Sequence, residues 1–262
     1  MRKKVLLKNG RSCLASYSLT KPAVPRWLVF VPESAAYFQH GTRNEFSSMI
    51  GAKQAKNFNY LVLNRPGVLP KKINANAFEN SFRRKRRIED ALAVIDSVVP
   101  PMDDIYLVGY SEGAYLAPQI ALEDTRVKAI VMIGGGTRGW LKEELSNAGP
   151  RERGSLAKKI REIYQHPRST QKWNGFSFAT WYSYREDSTL RALKKLKIPA
   201  LAILGARDRT IDFKTTYNDL KTLNKKMTLR LCIFKNCGHS FVSHWSDTWY
   251  EIKKFLDEHK NF

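Results

Sequence analysis

Gly109-Tyr110-Ser111-Glu112-Gly113 sets a serine between two glycines, directly after the apolar run Ile105-Tyr106-Leu107-Val108 and at the small-residue start of a helix. A serine at the tip of so tight a strand-to-helix turn is held in a strained backbone conformation. The positions two residues to either side must be small for strand and helix to approach. Such a turn lifts the Ser111 hydroxyl above the sheet. It aims the N–H of Glu112, and the positive end of the helix behind it, at a reacting oxygen. A serine hydroxyl is a weak nucleophile at neutral pH and needs a base, commonly a His oriented by a carboxylate. Two later segments offer them. Leu201-Ala202-Ile203-Leu204 leads into Gly205-Ala206-Arg207-Asp208, and residues 229–234 lead into Lys235-Asn236-Cys237-Gly238-His239-Ser240-Phe241. The order Ser, Asp, His, each at the exit of its own strand, is the one this chemistry takes on an α/β sheet. Asp212 and His244 are the alternative acid and base. His40, His166 and His259 stand outside the positions a triad needs.

The elements that must hold these residues alternate along the chain. Strand patterns at 5–8 and 13–19 flank Asn9-Gly10, a hairpin signal. Strands are expected at 27–31, 60–63, 105–108, 127–133, 200–204 and 229–234. Helices are expected at 42–56, 81–99, 113–122 and 213–223. A last helix places Trp245, Trp249, Ile252, Phe255 and Leu256 on one face. Alternation of this kind predicts an α/β fold, with a mostly parallel sheet led by an antiparallel hairpin and helices on both faces. The pattern breaks between the sixth strand and residue 199. The break carries helical patterns at 141–147 and 156–164 and is rich in aromatics. It is read as a helical cap over a pocket, because α/β sheets hold ligands at the C-terminal ends of their strands. The organisation expected is core 1–136, cap 137–198 and core 199–262.

With these motifs in place, the chain resembles an α/β-hydrolase over essentially its whole length. Residues 199–208 and Gly238-His239-Ser240-Phe241 resemble segments of bacterial esterases and of the serine aminopeptidase-like and dienelactone-hydrolase-like branches. The resemblance implies Ser111 as nucleophile, His239 as general base and then acid, and Asp208 as the residue that orients the imidazole. It implies a carboxylic-ester hydrolase and leaves the substrate open; thioester and peptide bonds are alternatives on the same triad. A second oxyanion donor is expected from the loop after strand 27–31. The family often has His-Gly there, whereas this chain has Pro32-Glu33-Ser34. Pro32 has no N–H, so Ser34 is the candidate beside Glu112, with the Glu33 carboxylate pointing away. Phe178, Trp181 and Tyr182 are the expected substrate-binding aromatics. For a peptidase, Glu152, Glu162 or Glu186 could take the substrate's amine.

The remaining features bound the partners. Lys and Arg number 45 against 24 Asp and Glu, a formal charge of +21. Such a surface can attract an anionic substrate or surface, or nucleic acid. The densest run, Arg83-Arg84-Lys85-Arg86-Arg87, has no interleaved aromatic to stack bases. It reads as a solvated helix face, and nucleic acid is not expected. Gly134-Gly135-Gly136-Thr137-Arg138-Gly139 matches G-x-G-x-x-G. It does not follow the first strand, and no acid-ended strand comes about 20 residues later, so it is read as the turn into the cap. Three Cys make no disulfide framework and fit no zinc spacing. No cofactor and no metal are expected. The apolar stretch after Met1-Arg2-Lys3-Lys4 is too short for a signal peptide, so a cytoplasmic location is expected. No run approaches the length that spans a bilayer.

Overall fold

The computed structural model describes residues 1–20, 24–34, 57–224 and 227–259. The helix expected at 42–56 and His40 lie outside them. Strands β1 (Arg2–Leu6) and β2 (Ser12–Ser18) pair antiparallel with Val5 opposite Cys13. The hairpin was expected at Asn9-Gly10. The turn falls there, as a single 3-10 turn at Lys8–Gly10 in which Gly10 takes a φ of 69°. β3 (Arg26–Val31), β4 (Asn59–Val62), β5 (Asp104–Tyr110), β6 (Val127–Ile133), β7 (Ala200–Gly205) and β8 (Leu229–Phe234) complete one eight-stranded sheet. The strand order is β1-β2-β4-β3-β5-β6-β7-β8. β2 meets β4 antiparallel, and every later pairing is parallel.

The parallel strands are apolar on both faces because both faces are covered. In β3, Trp27, Val29 and Val31 enter one core and Leu28 and Phe30 the other. Helices α1 (Ala75–Ser81), α2 (Arg84–Val98) and α3 (Glu112–Glu123) lie on the chain between β4 and β6. One helix was expected at 81–99. Asn74 caps an earlier one, its side chain accepting from Ala77 N–H at 3.1 Å. Phe82 and Arg83 then break the run. Phe82, 2% exposed, drops into a nest of Phe78, Trp140, Phe176 and Tyr184.

Between β6 and β7 come α4 (Trp140–Asn147), α5 (Arg153–Gln165), α6 (Phe178–Ser183) and α7 (Ser188–Leu193). A two-stranded turn, 172–177, carries Asn174 and Gly175 at φ 45° and 81°. Leu190, Leu193 and Leu196 join the same apolar cluster as the sheet, so the end of this segment packs with the core. α8 (Phe213–Leu223) covers that face too, while α9 (Trp245–Glu258) packs Trp249, Ile252, Phe255 and Leu256 on the opposite one.

The basic run is not the uniformly solvated face expected. Lys85 and Arg86 are exposed, but Arg87 is buried. Arg83 donates to Thr180 Oγ1 at 2.8 Å and Arg84 to Ser188 Oγ at 2.6 Å. The run therefore ties α2 to the 137–198 segment.

Candidate active site

Ser111 follows β5 directly with φ 52° and ψ −115°, a positive-φ conformation that strains a residue with a Cβ. The turn admits no bulk on either side. A Cβ on Gly109 would come within 2.3 Å of the Gly113 carbonyl oxygen. One on Gly113 would come within 1.8 Å of that of Val31. The hydroxyl that results stands 2.9 Å from His239 Nε2. His239 Nδ1 is 2.7 Å from Asp208 Oδ2. Asp208 Oδ1 accepts from the N–H of Thr210 at 2.7 Å, which fixes the carboxylate.

The His239 loop is held from three sides. Tyr110 donates to the His239 carbonyl at 3.1 Å and stacks its ring beside the imidazole. Phe241, buried at φ 55°, turns the chain back toward α9. Gly134 faces the ring, and a Cβ there would lie 3.1 Å from Phe241 and 3.6 Å from His239. The alternative acid and base do other work. Asp212 caps α8, accepting from Thr215 N–H at 3.0 Å, and also takes the Ser146 hydroxyl. His244 precedes α9 and pairs with Ser243.

Ser34 lines the cavity beside Ser111 and His239. Arg65, 1% exposed, donates to the carbonyl of Glu33. That carbonyl belongs to the same peptide unit as the Ser34 N–H, so the guanidinium fixes the plane of a prospective donor. Glu33 itself is buried, and its charge acts on Arg65, whose pKa burial lowers to about 10. The Glu112 side chain points away from the reacting centre. It pairs with Arg87 Nε at 3.0 Å and accepts from the Tyr184 hydroxyl.

Two hollows meet at Ser111. One, about 470 Å³ with part of it open to solvent, is walled by Trp140, Phe176, Trp181 and Ile211. The other is more open and runs past Phe78, Tyr110 and Gly175. Of the three expected aromatics only Trp181 lines the first. Phe178 is fully buried with Leu141 and Ile163, behind the wall. Tyr182 turns outward against Tyr164 and Arg185. Tyr182, the residue after Trp181, is rotated from it by about 100°, whereas Phe178, three residues before, shares roughly its side of the helix and packs deeper in the same apolar cluster.

The cavity also has lining residues that were not expected, among them Trp140, Ile211, Tyr115, Glu143 and Glu144. Glu143 is 2% exposed; its carboxylate accepts from the Tyr115 hydroxyl and from Arg138 N–H at 3.1 Å. Burial pushes its pKa from 4.5 up to about 8, and the charges of Asp212 and Asp208 add to the rise. Glu152, Glu162 and Glu186 are elsewhere. The first bonds to Gly149 N–H, the second to Lys159, the third to Arg185 and Arg191.

Glu143 makes stability depend on pH. Below about 4.5 both folded and unfolded chains carry its proton, and nothing is lost. As pH rises toward about 8, the unfolded chain ionises while the folded one holds the proton, so stability falls across that window. Glu143→Gln removes this term. Its melting temperature should gain on the parent's by roughly 5 °C or more between pH 5 and 8, since a few kcal/mol at about 2–4 °C each are at stake. A gap that does not change with pH would mean the carboxyl is already ionised when folded.

Among the described residues no group of His, Cys, Asp and Glu could hold a metal ion. None of their helices is long and apolar enough to cross a membrane.

Sheet order, elbow and loop positions define one class: the chain has the α/β-hydrolase fold. It is similar over its whole length to the acylaminoacyl peptidase of Pyrococcus horikoshii, with a TM-score of 0.74 and 16% identity, covering 42% of that chain. It is likewise similar to Est1E of Butyrivibrio proteoclasticus, solved with ferulic acid bound, at TM-score 0.70 and 14% identity over both chains entire. In sequence it is 26% identical to the esterase EstD of Thermotoga maritima over 169 residues. That match takes in 61% of this chain and 41% of EstD, so the chain spans well under half of that relative. No family model matches the chain.

Proposed function

We propose that the chain is a serine hydrolase that cleaves carboxylic esters through an acyl-enzyme. The observation that carries this is the continuous line of hydroxyl, imidazole and carboxylate at 2.9 and 2.7 Å, with the serine on a strained elbow. In this reading His239 takes the Ser111 proton as the oxygen attacks the ester carbonyl. Asp208 holds the ring in place and offsets the imidazolium charge. The N–H groups of Glu112 and Ser34 bind the oxyanion of the tetrahedral intermediate. The imidazolium then protonates the leaving alkoxide, and water, activated by the same ring, releases the acid. Thioester and peptide cleavage remain second readings on this triad. The likeness to an acylaminoacyl peptidase favours keeping the peptide bond among them.

A fluorophosphonate probe tests the proposal. It should label the folded protein at Ser111 and leave Ser111→Ala unlabelled. A folded parent that takes no label would mean that the pocket binds a ligand without turning it over.

A further inference from the structure

The partly open hollow beside Ser111 combines aromatic walls with two buried acids, and since Glu112 is paired with Arg87, Glu143 is the one left to a ligand. Its hydrogen-bond partners, Tyr115 and the backbone of Arg138, carry no charge. The Arg138 guanidinium, on the same turn, is committed to Asp219 and Asp187. The charges of Asp212 and Asp208, both negative, act on Glu143, and Glu144 adds a further acid to the cavity wall. In a chain of net charge +21, this hollow is thus locally acidic. Glycine is required to make it so: a Cβ on Gly136 would fall 1.8 Å from Glu143 Oε1.

We propose that this hollow receives the acyl part of a substrate bearing a protonated amine, and that Glu143 pairs with that ammonium group. The proposal deepens the serine-hydrolase reading and rests on it. An anion is disfavoured there by three neighbouring carboxylates, Asp208, Asp212 and Glu144. A hydroxyl would form a hydrogen bond but would leave the acidity of the site uncompensated. An ammonium does both. On its entry the Glu143 carboxyl gives its proton to solvent and the ion pair forms in its place. Each carboxylate oxygen already accepts one hydrogen bond and has a lone pair left for an N–H. Trp140 and Trp181, which line the hollow, add aromatic surface around the same charge.

The test compares p-nitrophenyl esters of 6-aminohexanoate and phenylalanine with their des-amino counterparts, hexanoate and 3-phenylpropanoate. The amino-to-des-amino ratio of kcat/KM is taken within each variant, so a general loss of activity cancels. The parent should favour at least one amino ester by about tenfold to a hundredfold, the scale of a charged hydrogen bond. Glu143→Gln should bring that ratio to about one. A parent ratio of one or less, or a ratio that survives the substitution, overturns the proposal. So does a matched hydroxyacyl ester that outruns the amino ester. A second measurement needs no turnover. Tryptophan fluorescence of Ser111→Ala should report phenethylamine binding at least about tenfold tighter than 2-phenylethanol. Adding Glu143→Gln should remove that advantage; equal affinities overturn the amine site. Failure of the hydrolase reading shows separately, as absence of fluorophosphonate labelling.

Discussion

Ser111→Ala should lower kcat on p-nitrophenyl acetate by about four to six orders of magnitude while leaving the melting temperature nearly unchanged. Under the proposed mechanism the loss is large because the substitution removes the atom that would form the acyl-enzyme, not an interaction that tunes it. His239 and Asp208 keep their own bond and the proposed oxyanion donors stay in place, so only the residual catalysis of binding and polarisation would remain. The fold should tolerate the change. Ser111 Oγ makes one hydrogen bond, to His239, and alanine has the same Cβ to accommodate at φ 52°. The parent should show a burst of p-nitrophenol equal to the enzyme concentration, and the variant should show none. Esterase activity that persists at the parental level would move the nucleophile off Ser111. The short acetate ester is the right probe because it need not reach Glu143.

The three residues of the candidate site, which the structure brings together, stood out in the sequence because each follows a strand. A strand end is where apolar periodicity stops, and a Ser, Asp or His placed there stands out against the run before it. The same logic located the strands and the largely parallel sheet, since buried parallel strands read as unbroken apolar segments, whereas the order of the strands in the sheet came only from the structure. What escaped notice lies in the 137–198 segment. Trp173-Asn174-Gly175-Phe176 has the Asn-Gly signal of a tight hairpin, the signal read correctly near residue 10, and it is this turn that delivers Phe176 to the cavity. Glu143 carried no such mark. In Trp140-Leu141-Lys142-Glu143-Glu144 it resembles the polar face of an exposed helix. Only the packing of α4 over Ser111, with Gly136 making room, turns it inward. Arg87 was hidden for a related reason. Nothing within a run of five basic residues tells which one will find a buried carboxylate across the fold.

That pairing leads to the second large effect. Arg87→Met should destabilise the protein by about 3–5 kcal/mol, the usual result of removing one member of a buried ion pair. At roughly 2–4 °C per kcal/mol for a chain of this size, the melting temperature should drop by about 10 °C. Arg87 is bidentate on Glu112, Nε to Oε1 at 3.0 Å and Nη2 to Oε2 at 3.2 Å, with both side chains shut off from water. Methionine fills much of the volume but leaves the Glu112 carboxylate with the Tyr184 hydroxyl as its remaining hydrogen-bond donor. Arg65, whose charge also interacts with Glu112, limits the cost but does not replace the two bonds. The double variant Arg87→Met/Glu112→Gln should regain part of the loss, because the stranded charge goes with its partner. Function should suffer along with stability. Glu112 opens α3 directly behind Ser111, and Tyr184 belongs to the segment that walls the cavity, so one ion pair joins α2, the elbow and the pocket. Below its melting temperature the single variant should therefore show a lower kcat than the double variant. Equal melting temperatures for Arg87→Met and the parent would mean that the elbow is held by the apolar packing of α3 alone.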